Sequence, residues 1–355
     1  MKCFLYATIM ISLILGAFAT LDLTQFDTLK SATVGSEILT YREINPAGKK
    51  TYIFLHATAC SSLMLNTGNL LTNLAPLLAD YRVLALDLRG NGGSTYNTPV
   101  KDFYDFALDV KLFLDGLGLK KVIMMGTCLG GLVSQIFAAR YPTYLQGLIL
   151  DGALGLEGGF DLFSDLTKVK NYPWTMDDVK TTAFYKALND AVTANDAGKK
   201  MAGVFGYYQP SQVQAQGWPS LLADMIKTKN LDQVLFGELT TNINDGTNAV
   251  GIKGSGEILN LTGPVLIIHA KGDKFIPYAN ADKLAQILGS KCTYVLLPDN
   301  VGHFTWYDDM PNTIAPIKTF LEAHGNFESS SAFLTAFGLI ASLLMILFAY
   351  KVQYK

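Results

Sequence analysis

Charge is scarce in this chain, and cysteine and histidine are scarcer. Only 16% of residues are Asp, Glu, Lys or Arg, and 28 basic against 30 acidic residues leave a formal charge of −2. No basic patch or stripe stands out, which argues against nucleic acid as a partner. Of four cysteines, Cys3 lies in an apolar leader. Cys60, Cys128 and Cys292 remain, and an odd set of three is no disulfide framework. No internal repeat is visible, and the one low-complexity stretch is the serine cluster at 329–331. No metal-ligand set and no dinucleotide spacing occur, so neither a metal nor a cofactor is expected.

What the chain does have is apolar residues, half of its 355. That length accommodates one large core, or a core with an inserted cap. Both termini inflate the apolar fraction. Residues 1–20 carry one early lysine, a short apolar stretch and then small residues, the pattern of a secretory signal peptide. Residues 326–331 read as a polar linker. Residues 332–350 form an apolar stretch long enough to cross a bilayer, followed by two lysines near the end. Two readings of this tail stand side by side: a retained transmembrane helix with a basic cytosolic end, or a lipid-anchor signal. Either one tethers the folded part to a membrane, facing the lumen or the outside. The sequon Asn260-Leu261-Thr262 would then matter.

Between the termini, short apolar runs alternate with helix-like stretches. Strands are predicted at 37–44, 51–56, 82–87, 121–125, 147–150, 264–269 and 293–297. Most are continuously apolar, as parallel strands covered on both faces are. Helices are predicted at 70–79, 103–117, 132–141, 279–288 and 311–324. This alternation describes a doubly wound, mostly parallel α/β sheet. The rhythm breaks over 155–256, which is too long for a loop and mostly helical in pattern. It holds Trp174, Tyr185, Phe205, Tyr207, Tyr208 and Trp218. The expected organisation is therefore a core at 23–154 and 257–325 with a helical cap at 155–256.

Four motifs carry the chemistry. The first is Gly126-Thr127-Cys128-Leu129-Gly130-Gly131 after the apolar run Val122-Ile123-Met124-Met125. It has the form of a nucleophile elbow, a strand-turn-helix that lifts one side chain above the sheet. Side chains at Gly126 or Gly130 would collide with strand or helix. The second is His56-Ala57-Thr58 at a strand end. The third is Asp87-Leu88-Arg89-Gly90-Asn91-Gly92-Gly93-Ser94, a structural loop, since no Lys-Ser or Lys-Thr follows its glycines. The fourth is a pair: Gly272-Asp273-Lys274-Phe275-Ile276-Pro277, and Val301-Gly302-His303-Phe304.

In this order the motifs resemble the α/β-hydrolase superfamily, of the type with a helical cap, over about residues 41–324. Cysteine stands in the nucleophile position, and alanine replaces the usual glycine at Ala57 and Ala270. The resemblance implies a triad of Cys128, His303 and Asp273, with an oxyanion hole from the backbone N–H groups of Thr58 and Leu129. A free thiol with pKa of about 8.5 is only a few per cent thiolate at neutral pH, so it needs a histidine to take its proton. The chemistry implied is hydrolysis of a small-molecule ester, thioester or lactone through a covalent acyl-enzyme. Acyl transfer and a catalytically silent ligand-binding protein are the alternatives. His56 and His269 are expected in the core and His324 in solvent. Family topology places Cys60 near Cys128, which leaves a disulfide between them open, and Cys292 at the opposite rim.

Overall fold

A computed structural model describes residues 21–159, 162, 163, 165, 169, 170, 173–193, 231–244 and 252–325. The leader, linker and apolar tail expected at 1–20, 326–331 and 332–350 lie outside them. Among the described residues no helix is long and apolar enough to cross a membrane.

Eight strands form one sheet in the order β1-β2-β4-β3-β5-β6-β7-β8. They are β1 (Leu29–Val34), β2 (Glu37–Ile44), β3 (Lys50–Leu55), β4 (Tyr81–Leu86), β5 (Val122–Thr127), β6 (Leu145–Asp151), β7 (Val265–Ala270) and β8 (Cys292–Leu297). The first two pair antiparallel to their neighbours, and the rest run parallel. Burial explains the apolar runs: every residue of β5 and β7 is buried. At the edge, β1 alternates between exposed and half-buried positions until Val34. That strand is absent from the sequence-based expectation, because Leu-Lys-Ser-Ala-Thr-Val offers no apolar run.

The helices that flank the sheet are α1 (Leu70–Leu74), α2 (Phe103–Gly116), α3 (Leu129–Arg140), α7 (Ala279–Leu288), α8 (Thr305–Asp308) and α9 (Met310–His324). Among the described residues three more, α4 (Met176–Lys180), α5 (Ala183–Thr193) and α6 (Leu231–Thr240), occupy the long insertion between β6 and β7. The third helix starts three residues earlier than predicted, because Gly130-Gly131 lies in its first turn instead of before it. The predicted helix at 70–79 stops at Leu74 and tightens into a 3-10 turn over Ala75–Leu77, where Pro76 cannot donate a backbone hydrogen bond.

The Asp87 loop is structural, as its sequence indicates. One Asp87 oxygen accepts from Ser62 N (2.6 Å), and the other from Thr40 Oγ1 (2.5 Å) and Gly93 N (3.1 Å). Arg89 makes a two-pronged ion pair with Asp109, at 2.8 and 2.6 Å.

The elbow depends on close backbone approach. A Cβ on Gly130 would lie 2.3 Å from the Leu55 carbonyl oxygen, and one on Gly126 would lie 2.3 Å from the Gly130 oxygen. Gly130→Ala is expected to force α3 off the sheet and to lower unfolding stability by at least about 1–3 kcal/mol. Urea denaturation of the two proteins checks this.

Candidate active site

Cys128 sits between β5 and α3 with φ 52° and ψ −118°. A non-glycine residue in that region is strained, by about 1–3 kcal/mol, and persists only where the surroundings impose it. Here they do. The Cys128 N–H donates to Asp151 O (3.3 Å), and its carbonyl accepts from Gly131 N (3.0 Å) and Leu154 N (3.0 Å). The residue is fully buried. Gly130 N donates to His56 O (3.0 Å), which ties the elbow to the end of β3.

Thr58 follows β3 and Leu129 opens α3, and both are buried. Since β3 and β5 pair directly, with Leu55 opposite Gly126, these two residues flank the elbow on adjacent strand ends. Alanine is accommodated where glycine was expected: Ala57 and Ala270 both pack in the core. The His56 ring is structural. Nδ1 donates to the Ala57 carbonyl (2.7 Å) and Nε2 accepts from Leu88 N (3.0 Å).

Asp273 and His303 come together. His303 Nδ1 lies 2.8 Å from Asp273 Oδ2, and both side chains are buried. The other carboxylate oxygen accepts from the N–H groups of Phe275 and Ile276, each at 2.8 Å. His269 is buried as expected, yet it also belongs to this group. Its Nε2 lies 3.2 Å from Asp273 Oδ2 and donates to Ile276 O (2.9 Å). Burial by itself would lift the Asp273 carboxyl. The charge of His303 and hydrogen bonds from both histidines outweigh it and hold the group well below the usual carboxylate range. Burial opposes charge on His269, but its bond to Asp273 prevails and raises its pKa.

The imidazole of His303 is wedged between Phe275 (4.8 Å between ring centres) and Phe304 (4.6 Å). Phe275 in turn meets Phe184 of α5 at 5.3 Å, and Phe184 meets Phe163 at 5.3 Å. Thus the insertion reaches the histidine through an aromatic ladder. Of the aromatics singled out from sequence, Trp174 packs in the core and Tyr185 against it. Phe205, Tyr207, Tyr208 and Trp218 lie outside the described residues. Phe163 and Phe184 were not singled out.

The elbow and the histidine loop meet across one peptide. Asp151 accepts from Cys128, and the next residue, Gly152 (φ 50°), backs onto His303. A Cβ there would lie 2.6 Å from the His303 carbonyl oxygen and 3.3 Å from Nδ1. Among the described residues Cys60, Cys128 and Cys292 form no disulfide, so Cys60 and Cys128 are not joined. Cys292 begins β8 at the far rim, as expected.

Against this geometry the comparisons with known proteins agree. The model of the alpha/beta hydrolase fold matches residues 53–309, and the chain belongs to that family. It is 24% identical over 307 residues to a dihydrolipoyllysine-residue acetyltransferase component of an acetoin cleaving system from Pseudomonas putida, covering 85% of this chain and 72% of that one. A 2-hydroxy-6-oxononadienedioate/2-hydroxy-6-oxononatrienedioate hydrolase from Klebsiella pneumoniae is 27% identical, covering 69% of this chain and 78% of its own. Among solved structures, an esterase from Rhodococcus sp. superposes with a TM-score of 0.61 at 22% identity, covering 83% and 99%. The chain is an α/β-hydrolase-type enzyme.

Asp151, whose carbonyl accepts from Cys128 N–H, was not singled out from the sequence either. Burial lifts its carboxyl from 3.8 to about 7. The folded state therefore holds a proton that the unfolded state releases, and this contribution to stability is lost as pH rises from about 4 through 7. Asp273, held low, contributes in the opposite sense: its stabilisation is present at neutral pH and is lost on acidification through and below the usual carboxylate range. Asp151→Asn is thus expected to melt higher, relative to wild type, at pH 8 than at pH 5. Thermal melts of both proteins at the two pH values check the sign.

Proposed function

We propose that this enzyme is esterase-like and hydrolyses carboxylic esters, thioesters or lactones through Cys128, His303 and Asp273. The observation that carries this reading is the buried His303–Asp273 pair, 2.8 Å apart, set one peptide away from an elbow that holds Cys128 at positive φ. His303 Nε2 takes the thiol proton as the Cys128 sulfur attacks the acyl carbon. The Thr58 and Leu129 N–H groups receive the developing oxyanion. The imidazolium then gives its proton to the departing alkoxide or thiolate, leaving a thioester on Cys128. Water, deprotonated by the same nitrogen, cleaves that thioester and returns the thiol. Asp273 stays ionised throughout, fixes the Nδ1–H tautomer and stabilises the imidazolium.

The aromatic ladder from Phe163 to Phe275 supports an apolar acyl or alcohol pocket beneath a lid. The complete burial of Cys128 and His303 favours one second reading. A site shielded from water suits transfer of the acyl group to an alcohol, amine or thiol acceptor.

Short-chain p-nitrophenyl esters and acyl thioesters provide the test. Cys128→Ala is expected to lower kcat at least about 1,000-fold, with Cys128→Ser retaining part of the activity. Iodoacetamide is expected to label Cys128 faster than Cys292, and His303→Ala to abolish the difference. An alanine protein as active as wild type refutes the triad. Product analysis with added acceptors separates hydrolysis from transfer.

The apolar ends of the sequence support a lumenal or extracellular setting on a membrane. Expressed in a eukaryotic secretory system, the full chain is expected to stay with the membrane pellet after carbonate extraction. Protease added outside sealed microsomes is expected to leave the folded domain intact.

A further inference from the structure

One buried carboxylate near the proposed triad has no part in the chemistry just described. Asp151 closes β6 and makes two ties in different directions. Its backbone carbonyl accepts from the Cys128 N–H (3.3 Å). Its side-chain Oδ1 accepts from Thr305 Oγ1 at 2.5 Å. Thr305 is the second residue after His303 and the first of α8. A single residue therefore grips the nucleophile elbow with its backbone and the histidine loop with its side chain.

The grip is built rather than incidental. Thr313 of α9 reaches Thr305 Oγ1 at 2.9 Å, and also lies 2.8 Å from the Asp309 carbonyl. With Asp151 ionised, Thr305 donates to Asp151 and Thr313 to Thr305. With Asp151 protonated, the row reverses: the acid donates to Thr305, Thr305 to Thr313, and Thr313 to the Asp309 carbonyl. Both states keep the hydroxyls paired, so the tie holds on either side of the titration. The ionisable groups facing Asp151 are His269 and Asp273 from β7 and its following loop, and Tyr52 from β3. The arrangement costs stability. Asp151 is completely buried, and its Oδ2 has no hydrogen-bond partner among the described residues. An apolar side chain would pack there more cheaply. Carboxylates kept at such a cost beside a reacting centre are candidates for function.

We propose that Asp151 is a positioning residue: through Thr305 it fixes the His303 imidazole against the Cys128 thiol, so that proton transfer between them needs no search. This rests on the triad reading above. It extends that reading by naming the strut that aligns two members contributed by distant segments. Misplacing reacting groups by as little as 1 Å can cost two orders of magnitude in rate.

Thr305→Val tests it, since it removes one hydroxyl with little change of shape. In the full-length protein, with p-nitrophenyl butyrate as substrate, kcat is expected to fall about 10- to 100-fold with KM within twofold. Thr305→Ser, which keeps the hydroxyl, is expected within threefold of wild type. The pH dependence of Cys128 alkylation by iodoacetamide should move in the valine protein toward that of an ordinary thiol and remain as wild type in the serine protein. Melting curves compare the folded fractions. Valine and serine proteins equally impaired, in proportion to lost thermal stability, would mean a merely structural contact and overturn the proposal. So would a valine protein with wild-type kcat and alkylation profile alongside an inactive Cys128→Ala protein, and that result leaves the triad standing. A fully active Cys128→Ala protein brings both down.

Discussion

Helix α3 can rest against β3 and β5 only because no Cβ intervenes at Gly126 and Gly130. That proximity lets Gly130 bond to the His56 carbonyl and leaves the chain no relaxed path from strand to helix. Cys128 absorbs the misfit with φ 52°. Everything else at the site is arranged about this turn. The end of β3 brings Thr58 beside it, the end of β6 accepts its N–H, and Phe184 of the insertion reaches the nearby His303 through Phe275. The strain is local, and the hydrogen bonds that hold it come from the end of β6, the first turn of α3 and the loop at Leu154.

A different constraint governs the acid and base. Asp273 is shielded from water, yet three donors converge on it, two from the backbone and one from His303, with His269 Nε2 3.2 Å away. A carboxylate so supplied gains little by taking up a proton. It therefore remains an anion beside the imidazole. With the carboxylate ionised, the His303–Asp273 bond runs from the Nδ1–H to the oxygen. Both backbone donors lie within three residues of Asp273, and His269 lies on the strand that precedes it. The local turn, and not long-range packing, sets the character of the acid.

How much of this was legible in the sequence follows from how local each signal is. Strands β3, β5 and β7 and helices α2 and α7 declare themselves through apolar runs and helix-like patterns, and their observed bounds fall within two residues of those predicted. The motif residues Cys128, Asp273 and His303 stand at strand ends, and strand ends are what apolar runs mark. Signals that depend on a neighbour in space were less visible. Edge strand β1 shows only alternation, and α8 is a single turn held by its surroundings. His269 looked like a core residue, and it is one, but only the fold puts Asp273 against it. Asp151 did leave a trace: a carboxylate ending a buried apolar strand, just before a long insertion. Its meaning depends on Thr305, which lies far away along the chain.

The placement of that insertion has one more consequence. Strands β6 and β7 are hydrogen-bonded neighbours, with Asp151 opposite Ile268, although the whole insertion separates them in sequence. The entropy of closing such an excursion grows only logarithmically, by roughly 0.6 kcal/mol per doubling of its length. Exchanging or lengthening the covering segment therefore taxes the sheet very little. The segment between these strands is free to vary in length and sequence while β6 and β7 keep their registry.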